Sequence, residues 1–155
     1  MALRVVLAAF LASAALAGFA RAAAAPKDVV RALYAERTAS VGVDASGRYF
    51  AHDLGEAMRK DTSDPQEVGA LDFDYRYGAQ DLKISGLQIL ETPVDNDSAH
   101  VVAVFKNHGK ANGVEWTLCR RPNGDWRIAD AASSGGEESW DLRQMLNLPS
   151  DRVRC

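Results

Sequence analysis

Two aspartates and three tyrosines are the side chains whose types could support proton transfer. Asp74 or Asp130 would serve as general base, and Tyr34, Tyr49 or Tyr77 would donate to a developing oxyanion. The competing assignment is structural: Asp72, Asp74 and Asp81 bond backbone N–H groups in the loop that enters a sheet, and Asp130 ends its strand in the same way. Tyr34, Tyr49, Gln80 and Trp140 are the ligand-contact candidates, with Gln80 also fitted to cap the first strand. Trp116 and Trp126 alternate with polar neighbours and belong to a core, whereas Trp140 and Tyr75 are expected at an exposed contact surface. His52, His100 and His108 share no ligand spacing with one another or with cysteine, so no metal site is expected. Gly135-Gly136 is an isolated pair rather than a phosphate-cradling loop, and no Gly-x-Ser-x-Gly nucleophile motif occurs, so no cofactor is expected.

The compartment in which these groups must fold is read from the first 25 residues. Arg4 gives a positive start, Val5 to Ala20 is apolar and acid-free, and the alanines to Ala25 offer small-residue cleavage sites, the form of a secretory signal peptide. The apolar run is short for a membrane span, and no cysteine lies near the cleavage region to carry a lipid anchor. A soluble periplasmic or extracellular protein without a stable membrane anchor is expected, with residues 26–155 as one domain. The whole chain carries a net charge of −3, and the leader would remove two arginines and no acid. Nucleic acid and anionic lipid are therefore not expected partners. Cys119 and Cys155 are the two cysteines, and in an oxidising compartment a pair is what one disulfide requires. Two unpaired thiols are the alternative; redox chemistry is disfavoured because no Cys-x-x-Cys spacing is present.

The elements that must position these groups follow from periodicity. Pro26, Asp28, Val29, Val30, Leu33 and Tyr34 predict an amphipathic helix from Lys27 to about Arg37, followed by a link from Ser40 to Gly47. Phe50, Leu54, Ala57 and Met58 predict a second helix ending near Lys60, and Asp64-Pro65-Gln66-Glu67 has the form of a capped helical turn. Strand formers then occupy 82–92, 99–107, 114–121 and 125–131. They are separated by Pro93 to Asp97, by His108-Gly109 through Asn112-Gly113, and by Pro122-Asn123-Gly124, where Asn-Gly predicts a tight turn with positive φ at both residues. Asn96-Asp97-Ser98 matches a glycosylation acceptor and is read more simply as a turn. In the first strand the apolar parity switches between Ile84 and Leu87 across Ser85-Gly86, which predicts a bulge and a bent sheet. Val101, Ala103 and Phe105 alternate with Val102 and Val104, so the second strand is expected to be central and covered on both faces. In the third strand Cys119 falls on the face opposite Val114, Trp116 and Leu118, within reach of a returning C-terminal tail. Ser134 and Ser139 offer starts for a short last helix carrying Trp140, Leu142, Met145 and Leu146.

The expected fold class is thus α+β: N-terminal helices packed on a curved, bulged antiparallel sheet of about four strands, with a short C-terminal helix. Gly69 to Asp74, Ala79-Gln80-Asp81-Leu82, Val104 to Asn107 and Gly124 to Asp130 resemble an exported bacterial family defined as domain of unknown function 3828, within the cone-shaped superfamily related to nuclear transport factor 2. The resemblance covers about Lys27 to Leu146 and implies a cone-shaped fold in an exported setting. Related cone domains include isomerases and dehydratases that use an Asp or His as base, but no catalytic residue transfers to this chain. The leading expectation is a non-catalytic binding module for a small molecule, peptide or partner protein. A cofactor-free isomerase or dehydratase, requiring an acid such as Asp74 deep in a cavity, is the first alternative. An exported inhibitor or immunity-type protein, with a filled cavity and an apolar patch including Trp140, is the second. Open sheet edges leave a homodimer as a further partner.

Overall fold

The structure, a computed structural model, describes residues 23–36, 46–61, 68–92, 95, 97–135 and 139–155. The leader to residue 22, the link at 37–45 and the capped turn at 64–67 lie outside them. Helix α1 (Pro26–Ala35) begins at its proline, where a missing N–H costs no helical bond, and buries Val30, Leu33 and Tyr34. A short helix α2 (Ser46–Tyr49) leads into α3 (His52–Asp61), which buries Leu54 and Met58. Phe50 lies between these helices, forming a parallel bridge to Ile128.

Strands β1 (Ile84–Glu91), β2 (Ser98–Asn107), β3 (Lys110–Arg120) and β4 (Trp126–Ser133) make one open antiparallel sheet in chain order. The class is α+β. The β1 bulge stands where the parity change put it: Ser85 pairs with Lys106 and Gln88 with Val104, and Gly86 takes the positive φ (65°) of the inserted step. A second bulge lies in β4, where Thr117 pairs with Asp130 but Leu118 pairs with Ile128, leaving Ala129 as the extra residue. It moves the inward parity from Ile128 to Ala131, so both are buried.

Two turns differ from their sequence reading. The β2–β3 connection is His108-Gly109 alone, both at positive φ (50° and 82°), and Lys110 to Gly113 continue the strand paired to β2. This is the backbone of a two-residue hairpin whose twist matches that of the strands. The β3–β4 turn does not put Asn123 at positive φ; only Gly124 has it (89°), with Gly124 N–H donating to Arg121 O at 2.8 Å. Pro122 fixes the first central residue at negative φ, which excludes the mirror-image turn and selects a three-residue loop with a Gly bulge.

β2 is interior to the sheet, and its inner face, Val101, Ala103 and Phe105, is buried. The expectation of cover on both faces fails, because Val102 and Val104 remain partly exposed beside Leu90, which is 49% exposed. The inner face meets an aromatic cluster: Tyr34 stands edge-on to Tyr77 and Trp116, Phe105 to Tyr77, and Tyr75 to Phe50. Trp116 and Trp126 are core residues as read, but Tyr75, expected at the surface, is 3% exposed.

The last element, α4 (Leu142–Met145), is capped by Asp141, whose carboxylate accepts from Gln144 N–H, rather than by Ser134 or Ser139. Trp140 precedes the helix, and Ser133 N–H donates to its carbonyl. Arg143 in α4 is 1% exposed. Its guanidinium donates to Asp53 at 2.8 Å, to the Ala129 carbonyl at 3.2 Å and to the Pro149 carbonyl at 2.7 and 3.0 Å. Burial works against the Asp53 charge, yet the Arg143 guanidinium outweighs it and holds the carboxyl below the usual carboxylate range. Beyond this clasp His52 N–H donates to Arg154 O at 2.9 Å, and the Cys119 and Cys155 sulfurs stand at disulfide distance with Cα atoms 5.9 Å apart.

Cutting the closure of a roughly 36-residue loop by Cys155→Ser is expected to cost about 4 kcal/mol, read as a lower denaturant midpoint with a steeper slope, because the released denatured chain exposes more surface. Arg143→Ala leaves Asp53 buried without its partner and is expected to cost about 3–5 kcal/mol in the same measurement, with the far-UV spectrum retained at low temperature.

Candidate functional site

The residues singled out for chemistry fall in three places. Asp74, Tyr34 and Tyr77 come together, but around Arg76 rather than a cavity. Asp74 is 7% exposed, and Arg76 takes both its oxygens, Nε at 3.0 Å and Nη2 at 2.7 Å, while Arg76 N–H donates to the same carboxylate at 3.0 Å. A third guanidinium nitrogen donates to Glu36 O at 2.8 Å. The Tyr34 hydroxyl donates to Arg76 O, and burial pushes both the Tyr34 and the Tyr77 hydroxyls up from their ordinary pKa. A carboxylate gripped bidentately and also bonded to backbone N–H has no oxygen aimed at a substrate, so Asp74 acts as the loop organiser. Asp74 accepting from Arg76 N–H and Ala79 O accepting from Asp74 N–H fold residues 74–79 into a tight loop, with Gly78 at positive φ (62°). Tyr49 is tied elsewhere, its hydroxyl donating to Glu36 at 2.6 Å and joining α2 to α1.

Asp130 occupies the second place, on β4 against the start of α4. One oxygen accepts from Ala131 N–H at 2.8 Å and Arg143 N–H at 3.2 Å. Burial and the neighbouring Asp141 carboxyl push it up to about 6. The local bond read from sequence is present, but the partner that makes Asp130 unusual lies eleven residues on and carries no signal in the sequence.

The third place is a cleft of about 1190 Å³ at the rim of the sheet. The loop before β1 gives one wall, with Asp72, Phe73, Gly78 and Gln80. The β2–β3 hairpin gives another through Asn107, His108, Lys110 and Asn112. The segment entering α4 gives the third, with Trp140, Asp141 and Gln144. Of the sequence candidates only Gln80 and Trp140 line it. Gln80 donates to Asp72 at 3.1 Å and does not cap β1; Asn107 does so, accepting from Lys83 N–H and donating to Asp81 O. Trp140 is half-buried, edge-on to Phe73 at 5.4 Å and pressed on Gly78, where a Cβ would lie 2.6 Å from the indole nitrogen. The hairpin residues Asn107 to Asn112 escaped the sequence reading because they carry turn chemistry, and Gln144 because an isolated helical glutamine has no pattern to mark it.

Among the described residues no group of three His, Cys, Asp or Glu side chains is arranged to hold a metal, and no helix is long and apolar enough to cross a membrane.

Because Asp130 holds its proton more tightly folded than unfolded, the stability this proton gives is full below about pH 4 and is lost as pH rises through about 6. Asp130→Asn retains the accepting oxygen and removes the charge. It is expected to raise unfolding free energy at pH 7 by about 1 kcal/mol after solvent screening, and to flatten the fall between pH 4 and 6 in a pH series of denaturant melts. No family model, curated protein or solved structure matches this chain.

Proposed function

We propose that the protein is a non-catalytic binding module whose ligand sits in the rim cleft, and that the chain is an exported, cone-shaped domain of the nuclear transport factor 2 kind. The single observation that carries the binding reading is the division of space. The inner sheet face is filled by Tyr34, Tyr75, Tyr77, Phe105 and Trp116, whereas the cleft beside Trp140 stays open and is bounded by three separate chain segments. Ligand sites concentrate in such concave junctions, where a few polar groups converge on partly apolar walls. The bulges in β1 and β4 support the cone shape, since each bends its strand and raises local twist. The disulfide-distance pair is what an oxidising compartment permits and so fits export.

Proton-transfer catalysis has one observation in its favour, the Asp130 carboxyl raised to about 6 behind Asp141. It is the weaker reading, because Asp130 does not line the cleft and its oxygen is spent on backbone N–H groups.

The test is a two-dimensional NMR screen of the protein against a mixed library of small polar and aromatic fragments. Fragment-induced shifts are expected to cluster at Gln80, Asn112, Trp140 and Gln144. Shifts that fall on the inner sheet face, or nowhere, would overturn the reading.

A further inference from the structure

Resting on the rim cleft as the binding site, we propose that its ligand class is a neutral, hydroxyl-rich oligosaccharide, seated against Trp140 and held by the amides of Gln80, Asn112 and Gln144. Charge is the first argument. The cleft is lined by Asp72 and Asp141 against Lys110 and His108, and by no arginine. Recognition of phosphate or carboxylate favours clustered cations in fork geometry, and the buried guanidinium forks of Arg76 and Arg143 are turned inward onto Asp74 and Asp53. His108 itself is engaged with Asp81 at 3.2 Å.

Hydrogen-bonding capacity is the second argument. A hydroxyl donates and accepts at once, and so does a carboxamide. Gln80 uses its amide nitrogen on Asp72, leaving the carbonyl oxygen to accept. Asn112 uses its oxygen on Gly113 N–H, leaving the nitrogen to donate. Gln144 is exposed, and its side chain makes no hydrogen bond among the described residues, so it offers both. Acceptor, donor and bifunctional amide thus come from three different walls around one space, the arrangement that several hydroxyls on one rigid ring can satisfy together.

The aromatic wall completes the match. Trp140 lines the cleft half-buried and is held by Phe73 and by contact with Gly78, so it supplies a rigid aromatic wall for sugar C–H groups at little ordering cost. The volume, about 1190 Å³, exceeds the ~300–1,000 Å³ of ordinary small-ligand pockets and suits more than one ring.

The experiment titrates the labelled protein with tri-N-acetylchitotriose, cellotriose and maltotriose, each to ~10 mM, and with trigalacturonate and trialanine as charged and peptide controls. At least one neutral trisaccharide is expected to give saturable shifts at the Trp140 indole N–H and the Gln80, Asn112 and Gln144 amides. Its affinity is expected to fall at least ~tenfold in Gln144→Ala, an exposed position whose truncation leaves the core intact, and in Trp140→Phe. The ligand class is overturned if no neutral sugar moves these signals, if only a control does, or if Gln144→Ala binds unchanged. Should fragments still map to the cleft while every sugar fails, the class falls and the binding site stands; should neither reach it, both fall.

Discussion

One buried guanidinium holds the second half of this structure together. Arg143 is withdrawn from water, and such a group is tolerated only where its donors find acceptors. Here they find the Ala129 carbonyl at the β4 bulge, the Pro149 carbonyl in the tail, and the Asp53 carboxylate at the start of α3. The extra residue of a bulge leaves the ladder, so its carbonyl needs a partner, and Arg143 is that partner. The same contacts lay the tail beside residues 50–52, where Arg154 O accepts from His52 N–H and Cys155 reaches Cys119. Ala51 N–H in turn donates to Ile128 O at 2.8 Å, covering one stretch of the outer β4 edge. Among the described residues no such segment pairs with the outer edge of β1, which is exposed along most of its length.

A second buried arginine organises the packing on the inner sheet face. Arg76 closes the 74–79 loop on Asp74 and brings Tyr34 and Tyr77 into edge contact over the sheet. Five aromatic rings, those of Tyr34, Tyr75, Tyr77, Phe105 and Trp116, then pack together on the inner face of the sheet. The open cleft lies instead at the rim, where the same loop contributes Gln80 and Gly78 to its wall.

Asp130 joins the two regions. It sits between the Arg143 backbone and Asp141, the residue that both caps α4 and lines the cleft. The segment carrying Trp140 and Gln144 thus rests against a carboxyl that burial and the neighbouring Asp141 push up to about 6.

Local rules read from the chain succeeded at most positions where the cause is local. Period-two alternation gave the four strands, the Ser85-Gly86 parity slip gave the bulge, Pro26 gave the start of α1, and two cysteines gave one pair. The β4 bulge lacked such a mark, because Ala129 is small and apolar like its neighbour Ala131 and hides the change of phase. Tyr75 as a surface residue failed on distant partners, the Phe50 and Trp116 rings, whereas Asn123 as a positive-φ turn residue failed on its own neighbour, because the fixed φ of Pro122 selects a different turn. The cleft is the clearest case. Its walls lie at 72–80, 107–112 and 139–145, and no periodicity links them. By itself the sequence determined the four strands, the start of α1, the β1 bulge and the cysteine pair, because each follows from backbone sterics or from residue type. Only the tertiary structure decided which charges were neutralised inside, which hollow was filled and which remained open, because those outcomes depend on contacts between residues far apart in the chain.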